Sequence, residues 1–249
     1  TLRGCFKKNE SKIHPGSTIK GVVNLFCDEF SNYNDVEIGK KAIRLLSSLG
    51  YKVQLPQHME SGRSSLSKGF IKKAQQIAIR NVELLQQVVS ADAPLIGLEP
   101  SAILGFRDEY PDLVGRELAH AAHEIAKHCF LFEEWLAREI DKGYITADQF
   151  TEERRRVLMH GHCHQKALSS TSYIMRCLSL PSGYEVTEIP SGCWGMAGSF
   201  GYEKEHFDIS MKIGELVLFP AVRKALSDVI IAAPGTSCRH QIHDGVGRK

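Results

Sequence analysis

Gly50-Tyr51-Lys52-Val53 is followed 133 residues later by Gly183-Tyr184-Glu185-Val186, and the two segments share glycine, tyrosine and valine at matching places. Both resemble the start of a strand, with apolar residues alternating with charged ones. Cys27 and Cys163 are separated by a nearly equal interval of 136 residues. A nearly constant offset at separate motifs indicates that the chain contains two copies of one long unit.

Each copy alternates short apolar runs with longer segments of helical periodicity. The runs predict strands at 21–26, 51–55 and 94–98 in the first copy, and at 157–159, 184–189 and 229–233 in the second. This alternation is typical of α/β folds. We therefore predict an α/β fold made of two duplicated β-α-β-type halves with mainly parallel sheets, related by a pseudo-two-fold axis.

The same pattern gives predicted domain boundaries. Residues 1–19 are polar and basic, which is typical of a linker and favours a piece of a longer protein. Residues 20–112 form the first half and 154–249 the second. Residues 113–153 form a helical connection between them, with one long helix expected over 113–140.

Composition excludes several classes of protein. The 249 residues carry 31 basic and 29 acidic side chains, so nucleic acid is not an expected partner. No apolar run reaches the roughly 18 residues of a transmembrane segment. The seven cysteines are an odd number in a large chain, which favours a reducing, cytoplasmic compartment over a disulfide framework.

Three short stretches of the second half place one cysteine each just after a predicted strand. They are 159–166 around Cys163, 191–196 around Cys193, and 235–240 around Cys238. Ligands of parallel α/β sheets lie at the carboxyl ends of the strands, so the three turns are expected at one site.

Thiolate and imidazole groups are the usual ligands of zinc, and thiolates hold iron–sulfur clusters. We predict a metal site on the three cysteines, completed by an imidazole. The candidate imidazoles, besides His160, are those of His162, His164 and His240. The alternative is that the cysteines are free thiols in tight turns.

Glycines recur around Cys193 at a spacing of three, and we predict that Gly192, Gly195 and Gly198 let the backbone approach a cofactor. The alternative is a tight turn without a ligand. The first half has Glu60 and Ala102 in place of the later cysteines, so it cannot build a comparable thiolate set.

The motifs 160–168, 195–203 and 235–242 closely resemble the cysteine-rich CCG domain, and the similarity extends over roughly residues 20–249. That domain forms the C-terminal part of FAD-linked oxidoreductases of the D-lactate dehydrogenase, glycolate oxidase and D-2-hydroxyglutarate dehydrogenase type. It also occurs in the iron–sulfur subunits of glycolate oxidase and anaerobic glycerol-3-phosphate dehydrogenase, and in heterodisulfide reductase.

The resemblance implies a duplicated α/β module that carries electrons through iron–sulfur clusters. It implies that FAD lies in a separate dehydrogenase domain of the parent chain or in a partner subunit, since nothing in this sequence looks like an FAD-binding domain. It leaves open a peripheral contact with the inner membrane through the parent enzyme. It does not identify the electron acceptor, and it gives this chain no catalytic residue of its own.

The chain departs from the family's pattern at the second cysteine of the pair, where Trp194 follows Cys193. The Cys-x-x-Cys end of heterodisulfide reductase is also absent after Cys238. A five-cysteine cluster therefore cannot form as it does there. We expect the Trp194 indole to lie against the site and cover it, with a surface tryptophan as the alternative.

Two further interpretations compete with the metal-bearing module. One is a structural or docking module that has lost its cluster and is redox-silent. The other is an independent hydrolase or transferase with one thiol activated by histidine. Cys163 lies between two histidines, but neighbouring side chains at a strand end point apart, which argues against such a dyad.

Overall fold

A computed structural model describes residues 1–9 and 19–248, with the side chains of 8 and 9 left out. The chain divides into two compact units, Thr1–Phe132 and Glu133–Lys249. Each contains one sheet, and every strand pair within the described residues is parallel. The predicted α/β class with two parallel sheets is therefore confirmed. No helix in the described part of the chain combines the length and apolar character needed to cross a bilayer.

The first unit has a four-stranded sheet in the order β2-β1-β3-β4. Its strands are β1 (Gly21–Phe26), β2 (Tyr51–Gln54), β3 (Leu95–Gly97) and β4 (Cys129–Leu131). Its helices are α1 (Leu2–Asn9), α2 (Val36–Ser48), α3 (Arg63–Ser67), α4 (Ile71–Leu85), α5 (Pro100–Ile103), α6 (Tyr110–Leu113) and α7 (Arg116–Lys127).

The two crossover helices of this unit follow the predicted apolar stripes. α2 buries Ala42, Ile43 and Leu46, and α4 buries five apolar side chains along one face. Gly50 ends the first crossover at a φ of +94°, a conformation that glycine adopts without a steric penalty.

The structure corrects the single helix expected over 113–140. β4 interrupts it and pairs with β3, and the helix resumes as α8 (Phe132–Asp141). Three apolar residues, too few to show a period, cannot be distinguished by pattern from one turn of a buried helix. The start of the predicted linker also differs, because it forms α1, in which Leu2 and Phe6 are buried. The remainder of that linker, 10–18, lies outside the described residues.

The second unit has a three-stranded sheet in the order β6-β5-β7. Its strands are β5 (Arg155–Met159), β6 (Tyr184–Glu188) and β7 (Ile230–Ala232). After α8, its helices are α9 (Cys163–Leu168), α10 (Ser172–Leu178), α11 (Phe207–Leu216), α12 (Leu218–Lys224) and α13 (Thr236–Val246).

The strand order of the second unit repeats that of the first three strands of the first unit. In both, the first strand lies in the centre, and Tyr51 and Tyr184 occupy the same place at the start of the second strand. This repetition agrees with the predicted duplication; the pseudo-two-fold relation of the halves stays a prediction. Met159 is level with Glu188 on one side and Ala232 on the other, so the three cysteine turns leave one edge of the sheet.

Candidate functional site

Two of the three predicted cysteines meet where β5 and β6 end. Cys163 opens α9, and Cys193 lies in the irregular segment after β6. Their thiols are hydrogen-bonded to each other, and Cys163 Sγ lies 3.9 Å from the carbonyl oxygen of Gly192. The Gly195 N–H donates to Cys193 Sγ at 3.3 Å. The fold therefore brings two thiols, 30 residues apart, into contact.

The two thiols have different surroundings. Cys193 is exposed, whereas Cys163 is half-buried against the apolar core of the unit. Burial, and then the neighbouring Cys193 thiol, raises the pKa of Cys163 to about 11. At neutral pH Cys163 therefore holds its proton, and the exposed sulfur is the one that solvent reaches first.

Cys238, the third predicted ligand, lies in the first turn of α13 and is fully buried. Its Sγ lies 3.2 Å from the point that a Cβ on Gly235 would occupy, and the Nε2 atom of His162 lies 3.0 Å from the same point. Gly235 thus leaves room for Cys238 and His162 to pack as neighbours beneath the turn.

His162 caps the helix that begins at Cys163. Its Nδ1 accepts the backbone N–H of His164 at 3.1 Å, the role that Asn or Asp usually fills at a helix N-terminus. Burial lowers the pKa of His162 to about 3, so the ring is neutral. With Nδ1 accepting, the ring proton sits on Nε2. In this orientation neither nitrogen has a lone pair free for a metal.

The other two predicted imidazoles lie differently. His240 pairs its Nδ1 with the hydroxyl of Tyr202 at 2.9 Å. His164 is half-exposed, in the first turn of α9. Of the three, the contacts of Gly235 place His162 beside a cysteine.

Trp194 is buried, with 3% of its surface exposed. Its ring contacts His160 and His162 edge-on, at centroid distances of 4.9 and 5.0 Å, and it belongs to the same core cluster as Cys238. The expectation that the indole covers the site is confirmed, and the surface alternative is wrong. The side chain of Gln241 fixes the turn by donating to the Trp194 carbonyl.

Two buried nitrogens beside the turn have no hydrogen-bond partner among the described residues: His160 Nε2 and Trp194 Nε1. The other side of His160 is engaged, because Nδ1 lies 2.7 Å from Ser191 Oγ. Lys166 Nζ donates to the carbonyl of Ser191 at 2.7 Å. Sequence reasoning missed Ser191 and Lys166, although both lie within the cysteine motifs and that position was the available signal.

The arrangement supplies two adjacent thiols and not a closed ligand set. Sulfurs that share one zinc at about 2.3 Å lie roughly 3.8 Å apart. Within the described residues, no trio that includes Cys163, Cys193 or Cys238 brings all its ligand atoms within 4.8 Å of one another. A third ligand therefore requires a rearrangement of this part of the unit, and a metal on these residues stays a prediction.

The three predicted glycines shape the turn around Cys193. Gly195 and Gly198 have φ values of +92° and +67°, which L side chains rarely adopt. Gly192 is exposed, and a Cβ there would meet nothing within 4 Å. Their role in holding a cofactor stays a prediction.

In the first unit, the corresponding turns bond among themselves. Asp28 accepts two backbone N–H groups and the Ser31 hydroxyl, and Glu29 accepts the N–H and hydroxyl of Ser61. Burial raises the pKa of Asp28 to about 7. Cys27 is buried, with its thiol 3.6 Å from Asn32 Oδ1. This unit therefore offers one buried thiol at the equivalent edge.

Comparison with known proteins supports the similarity seen in the motifs. The chain is 30% identical over 225 residues, 90% of its length, to the C-type subunit of anaerobic glycerol-3-phosphate dehydrogenase from Escherichia coli K12. It is 26% identical over 216 residues to D-2-hydroxyglutarate dehydrogenase of the same strain. The resemblance to the cysteine-rich CCG domain is confirmed. No model of a protein family matches the chain.

The relatives differ in how much of them this CCG-type chain covers. It spans about half of the glycerol-3-phosphate dehydrogenase relative, at 55%, and 20% of the D-2-hydroxyglutarate dehydrogenase. It spans 92% of lactate utilization protein A of Bacillus licheniformis, at 26% identity. The chain thus corresponds to a part of some dehydrogenases and to nearly the whole of a separate protein.

Proposed function

We propose that this chain is the cysteine-rich, non-flavin module of an FAD-linked oxidoreductase that acts on a 2-hydroxyacid such as D-lactate, glycolate or D-2-hydroxyglutarate. Support comes from the similarity to a D-2-hydroxyglutarate dehydrogenase and to a lactate utilization protein. In this proposal FAD and substrate bind in another domain or subunit, and the module passes electrons to an acceptor.

The observation that carries the electron-transfer role is the contact between Cys163 and Cys193 at the carboxyl edge of the sheet. Two adjacent thiols, one of them exposed, can ligate a soft metal or change oxidation state themselves. The unpartnered Nε2 of His160 adds a nitrogen to the same region. Cys238 completes the proposed three-cysteine ligand set once the turn rearranges.

A second candidate is a docking module without a redox centre. It is favoured by the packing of Trp194 in the core, where a second cysteine would stand in the family's pattern, and by the engaged Nδ1 of His162. In that case the turns are structural and the surface of the module serves the rest of the enzyme.

The two candidates are separated by purifying the protein without oxygen and measuring bound iron, zinc and acid-labile sulfide together with the absorption spectrum. The electron-transfer proposal expects metal that is lost in Cys193→Ser and retained in Cys177→Ser, a matched change in the same unit. Metal-free protein with no visible absorption, in the wild type as in both variants, removes the metal-bearing form and favours docking.

A further inference from the structure

The thiols of Cys163 and Cys193 are placed for chemistry that needs no metal. They touch each other, one is open to solvent, and the segment that carries the exposed one has no regular secondary structure. Gly192, next to Cys193, has free space around its Cα. The exposed sulfur can therefore move toward its partner at little cost to the core.

We propose that Cys163 and Cys193 form a reversible dithiol–disulfide couple that exchanges with low-molecular-weight disulfides of the glutathione type. This couple goes beyond the proposed function, because it belongs to this chain alone and requires neither a bound metal nor the flavin module. It would hold two electrons, and its oxidised form would remove both thiols from any metal site.

The geometry assigns a different role to each cysteine. Cys193 is the attacking residue, because it is exposed and the Gly195 N–H lies 3.3 Å from its sulfur, where it stabilises negative charge. Cys163 is the resolving residue, because it is half-buried and its sulfur already contacts that of Cys193.

The exchange proceeds in two balanced steps. The Cys193 thiolate attacks one sulfur of the small disulfide, whose S–S bond breaks, and one thiolate leaves and takes up a proton. Cys163 then gives up its proton and attacks the Cys193 sulfur, and the second small thiol leaves. Two protein thiols are oxidised to one disulfide, and one small disulfide is reduced to two thiols.

The other cysteines of the second unit are poorly placed for this reaction. Cys238 is fully buried. The Cys177 thiol donates to the Glu133 carbonyl at 3.3 Å, and burial raises its pKa to about 12. Cys177 is therefore a suitable control, since it is a half-buried thiol of the same unit without a thiol neighbour among its described contacts.

The test uses the full chain, purified without oxygen and treated with a chelator so that metal cannot protect the thiols. The protein is equilibrated with glutathione and glutathione disulfide at several ratios, quenched in acid, alkylated and analysed by mass spectrometry. We expect a species lighter by the mass of two hydrogen atoms, with a peptide that links Cys163 to Cys193. Dithiothreitol should reverse it, and Cys177→Ser should form it as the wild type does.

Single-cysteine variants test the assigned roles. In Cys163→Ser the exposed thiol should stop at a mixed disulfide with one glutathione, and in Cys193→Ser neither product should form readily. Cys163→Ala serves if the serine variant is poorly folded. Mixed disulfide on wild-type Cys193 without the internal link, or disulfides spread over other cysteine pairs, would overturn the proposal. Metal content plays no part in this readout, so its failure is independent of the proposed function.

Discussion

Replacing Gly235 with alanine should destabilise the second unit, because the glycine leaves the space in which His162 and Cys238 pack. An added Cβ would overlap His162 Cδ2 and would lie 3.0 Å from Nε2 and 3.2 Å from Cys238 Sγ. The backbone itself tolerates alanine, since φ is −83° and ψ is 144°. The effect of the substitution is therefore one of packing.

The size of the effect follows from what can move. Ordinary carbon contacts lie at about 3.5–4.0 Å, so the imidazole would have to shift by about 1 Å. The ring is held by the hydrogen bond from His164 and by Trp194 beside it. Overpacking of this kind costs about 1–3 kcal/mol, and the lower entropy of unfolded alanine offsets about 0.4–1 kcal/mol. We expect a net loss of about 1–2 kcal/mol.

Urea unfolding followed by tryptophan fluorescence measures this loss in the correct unit, because both tryptophans, Trp135 and Trp194, lie in the second unit. Gly192→Ala is the matched control: a Cβ there meets nothing within 4 Å, and a change within about 0.5 kcal/mol is expected. Equal stabilities of the two variants would refute the packing of His162 and Cys238 around Gly235.

Three further variants test the burial and charge states described above. Trp194→Ala should lower the free energy of unfolding by about 3–5 kcal/mol, measured by urea unfolding with Trp135 as the remaining probe; a loss below about 1 kcal/mol would contradict its burial. The pKa of His162 is lowered from 6.5 to about 3, so its stabilising contribution is complete above pH 6.5 and is lost as the pH falls toward 3. His162→Asn keeps a capping acceptor that does not titrate, and its unfolding midpoint should fall less steeply below pH 6.5 than that of the wild type; parallel slopes would count against the shift. The pKa of Asp28 is raised from 3.8 to about 7, so its contribution favours the folded state at low pH and declines as the pH rises from 3.8 to 7. Asp28→Asn should flatten that decline, measured by hydrogen exchange of the β1 amides, and an unchanged slope would argue against a buried, proton-binding carboxyl.

The strands were predictable because each is a short apolar run bounded by turn residues. β1 is observed with its predicted bounds, and the other predicted strands differ at their ends by one or two residues. β4 was missed because Cys129 to Leu131 follows a helix directly and no glycine or proline separates them. Its identity as a strand comes from pairing with β3, which is information that no local pattern contains.

The candidate site was predictable in its location but not in its detail. The strand ends put the cysteine turns at one edge, and the exchange of a cysteine for Trp194 indicated a cover over the site. The sequence could not tell that Cys163 meets Cys193 while Cys238 packs with His162. Those pairings depend on the space at Gly235 and on the cap that His162 provides, which arise from tertiary packing. The unpartnered nitrogens of His160 and Trp194 likewise have no signature in the sequence.

The most direct test of an electron-carrying module is an anaerobic coulometric titration that counts the electrons accepted by the oxidised protein through a viologen mediator. The account predicts reversible uptake that depends on Cys193: two electrons per chain for the disulfide couple, and one for a metal or iron–sulfur centre. Cys177→Ser should match the wild type, and Cys193→Ser should accept none. If the wild type accepts no electrons, or if Cys193→Ser accepts as many, the cysteine turns carry no redox function and the docking role is the correct one.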